Sequence, residues 1–175
     1  MNLINDWVRF TWDLTTLPPF ESQLPEHYQV GQLTASDEKE LRKVVSSSFV
    51  LDPTWNPAMN EVMQIVEASL DRAFASAEKS VCLALRHGLR IIGASVLSLD
   101  PESESNLAPG PCMLVEYRNR GFGTRLLEHS LQTLRDAGLS RAIAITRGSA
   151  PVAKFLYPKY HGIALPAEVA PLLAA

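Results

Sequence analysis

The sequence lacks several features that would place it in common classes of protein. It has no run of about 18 or more apolar residues, so no membrane-spanning helix is expected. The segment from Met1 to Asp13 lacks the charged and apolar regions of a signal peptide. Positive charge is not in excess either: the formal net charge is -3, which argues against a dedicated nucleic-acid-binding protein. We therefore expect a cytoplasmic protein that binds neither a membrane nor a nucleic acid.

Cysteine is also scarce. Cys82 and Cys112 both fall within predicted strands, which favours buried free thiols over a disulfide. No pair of cysteine or histidine residues has the spacing of a zinc site, so no metal is expected. The chain does contain 46% hydrophobic and 20% charged residues over 175 positions. That balance and that length predict one globular domain with a substantial core.

The most informative segment is a glycine loop between a predicted strand and a predicted helix. It runs from Arg118 to Thr124. Unpaired amides at the start of a helix, together with the helix dipole, form an anion site that suits a diphosphate. Gly121 and Gly123 let the backbone approach the phosphates, while Arg118 and Arg120 add positive charge. The loop therefore predicts a nucleotide-type cofactor, and hence an enzyme.

Two well-known phosphate-binding loops do not fit this segment. There is no Gly-Lys pair followed by Ser or Thr, which excludes the usual loop for nucleoside triphosphates. The third glycine of the dinucleotide fingerprint is missing, because no glycine follows Gly123 before Gly138. The pattern that remains is Arg-x-x-Gly-x-Gly. Taken alone, this pattern also describes a tight strand-to-helix turn with two solvated arginines.

The run from Glu116 to Gly123, followed by Leu126 and Leu127, resembles the coenzyme A loop of the GCN5-related N-acetyltransferase (GNAT) superfamily. A second segment, residues 153–160, is similar to the late helix of that family, which carries a tyrosine. The spacing between the two segments agrees with the family, and the resemblance extends over residues 28–162. It implies an N-acetyltransferase that uses acetyl-CoA to acetylate an unidentified amine, either a small molecule or a protein amino group.

The resemblance also implies which residues form the site. The strand residues Met113, Leu114 and Val115 would bond the pantetheine arm through their backbone. The residues that would hold the diphosphate are Arg118, Asn119, Arg120, Gly121, Phe122, Gly123 and Thr124. Tyr157 stands where the family often has the tyrosine that protonates the departing thiolate. The alternative for Tyr157 is a residue that only packs in the core. The alternative for the whole chain is a non-catalytic module that binds or senses acyl-CoA.

The order of the predicted elements agrees with the resemblance. Strands are predicted at residues 28–33, 81–85, 89–99, 112–115 and 141–146, with a short last strand at 163–165. Helices are predicted after the capping box at residues 34–37, from Asn56-Pro57, after the glycine loop and from Pro151. This order predicts an α/β fold, a mixed central sheet with helices on both faces, and the resemblance implies that the sheet is of the GNAT type. The crossover from residues 112–115 through the third helix to residues 141–146 should be right-handed and parallel.

Two segments keep alternative interpretations. Residues 1–27 are predicted to form an N-terminal arm, separate from an acetyltransferase domain over residues 28–175. The arm either lies over an apolar surface patch, or it serves as the arm of a homodimer or as a cover for the acceptor site.

Asp100, Glu102 and Glu104 cluster in a loop ahead of the glycine-loop strand. They form either a solvated acidic surface or a patch that attracts a cationic amine.

Overall fold

The computed structural model describes residues 6–20 and 23–167. Its strands are β1 (Trp7–Asp13), β2 (Tyr28–Gln32), β3 (Ser80–His87), β4 (Arg90–Ser98), β5 (Cys112–Met113), β6 (Arg141–Arg147) and β7 (Ile163–Pro166). Its longer helices are α1 (Glu38–Val50), α2 (Met59–Ala75) and α3 (Phe122–Asp136). Shorter helical segments cover Leu14–Thr16, Ala35–Asp37, Pro53–Ala58, Val115–Tyr117, Val152–Leu156 and Lys159–His161.

The strands form two ladders that meet at a single residue. One ladder has the order β6-β1-β7, the other β2-β3-β4-β5, and all of these pairs are antiparallel. Leu107 joins them, because it bridges Leu97 in the antiparallel sense and Ala144 in the parallel sense. The strands β5 and β6 are not paired with each other. The sheet is therefore mixed in direction and open between β5 and β6.

The centre of the larger ladder is covered on both faces. Every residue of β4 from Ile91 to Leu97 is buried. Because successive side chains of a strand point to opposite faces, burial of the whole run requires cover on both sides. The helices α1, α2 and α3 all contact β4. The predicted α/β class, with helices on both faces of a mixed sheet, is confirmed.

The helix boundaries follow local signals, with one shift. The predicted capping box is present: the backbone amide of Thr34 donates to Asp37 Oδ2 at 3.0 Å, just before α1. The second helix was expected to open at Asn56-Pro57, but α2 begins at Met59. Pro57 instead lies inside the preceding 3₁₀ segment, which starts at Pro53. Ala58, the residue before α2, has φ of -126° and ψ of 22°, outside the helical region, so the α-helix cannot continue back to Pro57.

The N-terminal segment is part of the sheet where the structure describes it. The strand β1 pairs with β6 over its whole length and with β7 on its other side. Phe10 and Trp12 point into the core, and Trp12 is completely buried. For residues 7–13, the interpretation of an arm over a surface patch is therefore wrong, because the identity of these residues does not reveal which strands pair with them. The division of the chain at residues 27 and 28 stays a prediction.

The strand before the glycine loop is shorter than expected. A strand was predicted over residues 112–115, whereas β5 ends at Met113. The amide of Leu114 still donates to the Ile92 carbonyl at 2.9 Å, and Val115 then enters a 3₁₀ turn closed by a 3.0 Å bond from the Tyr117 amide to Leu114. The expected parallel crossover from this strand through α3 to β6 does not produce a direct strand pair: β6 is the edge strand of its ladder, and its edge opposite β1 does not pair with β5.

The C-terminal elements are brief. The predicted last helix appears as the wide π-helical turn Val152–Leu156, with Pro151 as its N-cap and Tyr157 as its C-cap. The predicted final strand is confirmed as β7, which pairs with β1. None of the helices in residues 6–20 and 23–167 is long and apolar enough to cross a membrane.

Candidate active site

The glycine loop presents an uncapped helix N-terminus. Gly121 is the N-cap of α3, and its φ of 82° lies in the left-handed region, which favours glycine. No side chain caps α3, and its first turn contains no acidic residue. The amides of Phe122, Gly123 and Thr124 therefore have no intrahelical acceptor, and the helix dipole adds partial positive charge beside them. This arrangement favours an anion.

A cavity of about 480 Å³ lies beside this helix end, between β5 and β6, and we call it the loop cleft. One wall comes from the end of α1 and the segment after it, including Ser48, Asp52 and Trp55. The opposite wall includes Thr146 of β6 and Tyr157 after the π-helical turn. The cleft exists because the two ladders separate beyond Leu107, which itself lines the cleft.

The structure brings together most of the residues predicted to form the site. The predicted residues that line the loop cleft are Met113, Arg118, Asn119, Gly121, Gly123, Thr124 and Tyr157. Four others do not line it. Leu114 is buried in the core, Val115 is 44% exposed, and Phe122 stacks on Tyr28 with ring centroids 4.6 Å apart. The guanidinium of Arg120 lies over the Tyr117 ring, 5.4 Å from its centroid.

The guanidinium of Arg118 is bound within the protein rather than directed at a ligand. It donates to Asp52 Oδ2 at 3.1 Å, to the Ser48 carbonyl at 2.8 Å and to the Met113 carbonyl at 3.2 Å. These contacts tie the start of the glycine loop to β5 and to the end of α1. In this structure the charge predicted for the anion site is therefore neutralised by Asp52, and Arg118 positions the loop.

Tyr157 lies at the inner wall of the loop cleft. It is 4% exposed, and its ring meets Phe10 and Trp12 edge-on at centroid distances of 5.3 Å and 5.2 Å. Its hydroxyl donates a hydrogen bond to the carbonyl oxygen of Gly110. Burial raises the pKa of Tyr157 well above its ordinary value, and a Cys112 thiolate nearby would raise it further. The phenol is therefore a neutral proton donor at physiological pH.

The free edge of β5 contributes backbone to the cleft. In an antiparallel pair, successive residues turn their peptide groups alternately toward and away from the partner. Leu114 bonds to Ile92 of β4, so the peptide groups of Met113 point away from β4. The Met113 carbonyl accepts from Arg118, which leaves the Met113 amide as the strand's donor toward the cleft. Pro111 has no amide to add a second donor.

Cys112, also on β5, lines the same cleft and is 5% exposed. Burial raises the pKa of the Cys112 thiol to about 11, while Ser48 and Arg118 lower it to a smaller extent. The thiol is therefore protonated at neutral pH, which argues for a wall residue rather than a nucleophile. No group of three or more metal-binding side chains occurs among the described residues.

A second cavity of about 540 Å³ adjoins the loop cleft, and we call it the α2 cavity. Residues of α2 form one side of it, and the end of β4 with the loop after it forms the other. The residues that line both spaces are Phe49, Trp55, Leu107, Pro109 and Ile145. The two cavities therefore meet at an apolar junction.

Sequence reasoning missed the partners that complete the site. Asp52 pairs with Arg118 across 66 positions of sequence, and Gly110 accepts from Tyr157 across 47 positions. No short pattern reports such contacts. The only local signal was at Asp52 itself, whose side chain caps the next 3₁₀ segment by accepting from the Thr54 amide at 3.0 Å.

Comparison of the sequence with known families identifies its class. Residues 40–163 match the acetyltransferase (GNAT) family, and the chain belongs to this family. The match includes the glycine loop and Tyr157. No curated protein matches the chain.

Two solved structures of low sequence identity share the fold, and a third is similar over part of the chain. A GCN5-related N-acetyltransferase from Sphaerobacter thermophilus is 15% identical, with a TM-score of 0.65 over 93% of this chain and 49% of that one. A GCN5-related N-acetyltransferase from Kribbella flavida is 12% identical, with a TM-score of 0.50 over 90% of this chain and 56% of that one. The chain thus spans about half the length of each. A GNAT family acetyltransferase from Brucella melitensis, solved with acetyl-CoA, is 21% identical, with a TM-score of 0.48 over 65% of this chain and 71% of that one.

Proposed function

We propose that this protein is an N-acetyltransferase that binds acetyl-CoA in the loop cleft and transfers the acetyl group directly to an amine. The observation that carries the proposal is the convergence on one cleft of the uncapped start of α3, the free edge of β5 and the buried phenol of Tyr157. Membership of the acetyltransferase family supports the same reaction.

The residues present suit coenzyme A. The free amides of Gly123 and Thr124, which line the loop cleft, would hold the diphosphate, and Gly121 lets the chain turn into α3 without a Cβ beside the phosphates. The Met113 amide would donate to the pantetheine arm. Arg118 acts indirectly, since its bonds to Asp52, Ser48 and Met113 fix the loop against β5. When bound, the thioester supplies an acetyl group already activated for transfer.

The transfer exchanges a carbon–sulfur bond for a carbon–nitrogen bond and moves one proton from nitrogen to sulfur. The nitrogen of a neutral amine bonds to the acetyl carbon, the carbon–sulfur bond breaks, and one proton of the amine ends, overall, on the sulfur. Tyr157 would deliver a proton to the departing thiolate as a general acid, typically a contribution of about 10²–10⁴-fold. To do so, its hydroxyl must exchange its bond to Gly110 for one to the sulfur. The raised pKa of Tyr157 keeps the proton on the oxygen until then.

Acetyl-CoA binding is tested by introducing a negative charge at the start of α3. A Cβ at Gly123 would make only ordinary contact with Leu156, at 3.7 Å, so Gly123→Glu should fold. The new carboxylate would repel a diphosphate at the helix start, and we expect calorimetry to show a loss of acetyl-CoA affinity of about 100-fold or more. Gly31→Glu is the matched control, because a Cβ there meets nothing within 4 Å and Gly31 lies on β2. Undiminished acetyl-CoA affinity in the Gly123→Glu variant would contradict the proposal that the cofactor binds at the start of α3.

The alternative is a module that binds acyl-CoA without transferring it. Both functions require the anion site, so binding does not separate them. Turnover does: release of free thiol from acetyl-CoA in the presence of an amine supports the enzyme. Tight binding without thiol release from any amine in a broad panel would favour the sensing module.

A further inference from the structure

We infer that the α2 cavity is the acceptor site and that the acceptor is a primary amine whose apolar body carries a second positive charge at its far end. This inference rests on the proposed function, because it names the substrate class of the same site. The cavity, of about 540 Å³, has the size of a small-molecule pocket and opens into the loop cleft at Phe49, Trp55 and Ile145. An amine placed at this junction lies beside the cleft that would hold the thioester.

The junction end of the α2 cavity is aromatic. Trp55 packs against Phe49 at a centroid distance of 5.2 Å and against Trp7 at 6.3 Å. Trp7 and Trp55 are each 7% exposed, so the wall they form is firmly packed. Apolar surroundings disfavour the charged ammonium form of an amine. They therefore favour the neutral form, whose nitrogen lone pair attacks the thioester. The same walls favour a substrate whose body is hydrocarbon.

The cavity leads away from the junction along β4 and α2. At the junction, the amide of Val96 donates to the Pro109 carbonyl at 2.8 Å. Leu99 lies three residues further, about 10 Å along an extended chain. There its amide donates to the Lys79 carbonyl at 2.8 Å, which brings the segment after α2 alongside. The far end of the cavity is therefore formed by the end of α2 and the loop that begins at Asp100.

Charge is concentrated at this far end. Asp100 and Glu104 line the cavity from the loop, and Arg72 lines it from the last turn of α2. Two carboxylates and one guanidinium leave an excess of one negative charge. Arg72 forms no ion pair with Asp100, Glu104 or any other described residue. A cation at the far end of the substrate meets this excess charge, whereas a carboxylate would add to it.

Three amines of equal chain length test the inference: hexamethylenediamine, hexylamine and aminocaproate. They share one amine and one hydrocarbon body, and they differ in carrying a cation, a methyl group or a carboxylate at the other end. With thiol release as the readout, we expect kcat/KM to be highest for the diamine and lowest for aminocaproate. The double variant Asp100→Asn, Glu104→Gln should reduce the preference for the diamine over hexylamine by about fivefold, the size expected of partly exposed charge pairs.

Glu102→Gln is the matched control, because Glu102 is exposed in the same loop but does not line the cavity. It should leave the preference unchanged. Equal rates for the diamine and hexylamine, a faster reaction with aminocaproate, or the same preference in the double variant would each overturn the inference. Calorimetry of the wild-type protein with acetyl-CoA separates failure of this inference from failure of the proposed function. Binding without acetylation of any of the three amines overturns the inference alone, whereas absence of binding overturns the proposed function as well.

Discussion

The guanidinium of Arg118 and the carboxylate of Asp52 form an ion pair of 3.1 Å, in which the two side chains are 29% and 9% exposed. The pair joins the first residue of the glycine loop to the segment that follows α1. Because Asp52 is buried, water does not compensate for the loss of its partner. The pair should therefore contribute measurably to stability and hold the loop in the shape that a ligand requires.

A double-mutant cycle measures this contribution. We expect Arg118→Met and Asp52→Asn to show a coupling free energy of about 1.5–3 kcal/mol in denaturant unfolding, the range for hydrogen bonds to charged groups. The control cycle uses Arg90 and Glu116, which are 3.0 Å apart but 56% and 54% exposed. Its coupling should stay below about 1 kcal/mol. Equal couplings in the two cycles would show that burial of Asp52 does not matter.

Tyr157 should affect turnover more than cofactor binding. Tyr157→Phe keeps the ring that packs on Phe10 and Trp12 and removes only the hydroxyl. We expect kcat to fall by about 10²-fold or more, with little change in acetyl-CoA affinity. Steady-state kinetics with an identified acceptor, together with calorimetry, make the measurement. Tyr160→Phe is the control, since its hydroxyl bonds to Glu128 and it does not line the loop cleft. Full turnover in Tyr157→Phe would make Tyr157 a core residue.

The Cys112 thiol reports on occupation of the cleft. Because its pKa is raised to about 11, its alkylation should be slow at neutral pH and should accelerate as pH rises toward that value. Acetyl-CoA should block the reaction, since Cys112 lines the loop cleft. The protein with Cys82→Ser isolates this thiol, and the protein with Cys112→Ser isolates Cys82, which does not line the cleft. Equal protection of both thiols would argue against a ligand in the cleft.

The same shift in the pKa of Cys112 gives a pH dependence of stability. The folded protein holds the thiol proton above the ordinary pKa of 9.0, whereas the unfolded chain loses it there. The contribution is therefore complete below about pH 9 and declines as pH rises toward about 11. Cys112→Ala removes this titration, so its stability should fall less steeply with alkaline pH than that of the wild-type protein. Identical slopes would contradict the raised pKa.

Gly162 is required where the chain passes Tyr157 and Trp12. A Cβ there would collide with the carbonyl oxygen of Tyr157 and lie 2.7 Å from Trp12 Nε1. We expect Gly162→Ala to lower the free energy of unfolding by about 1–3 kcal/mol, the usual cost of overpacking. Gly31→Ala, where a Cβ meets nothing within 4 Å, should change stability little. A neutral effect at Gly162 would mean that this turn relaxes easily.

The sequence predicted those features of the site that depend on neighbouring residues. The glycine loop, the start of α3 and the capping box before α1 each rest on contacts within a few positions, which a pattern of residue types can record. The prediction that Tyr157 stands near the loop came from family resemblance. Nothing local distinguishes it from Tyr160, which lies on the same short stretch and bonds to Glu128 instead.

The sequence by itself determined that the chain has an α/β order of elements, a buried core and a glycine loop at the start of a helix, where an anion site is predicted. Periodicity, glycine position and composition depend on local geometry, and that geometry is the same in any fold. Only the tertiary structure decided that β1 enters the sheet between β6 and β7 and that Asp52 neutralises the charge of Arg118. It also decided that the α2 cavity opens into the loop cleft. These outcomes depend on contacts between residues far apart in the chain, which form only when packing of the whole core brings them together.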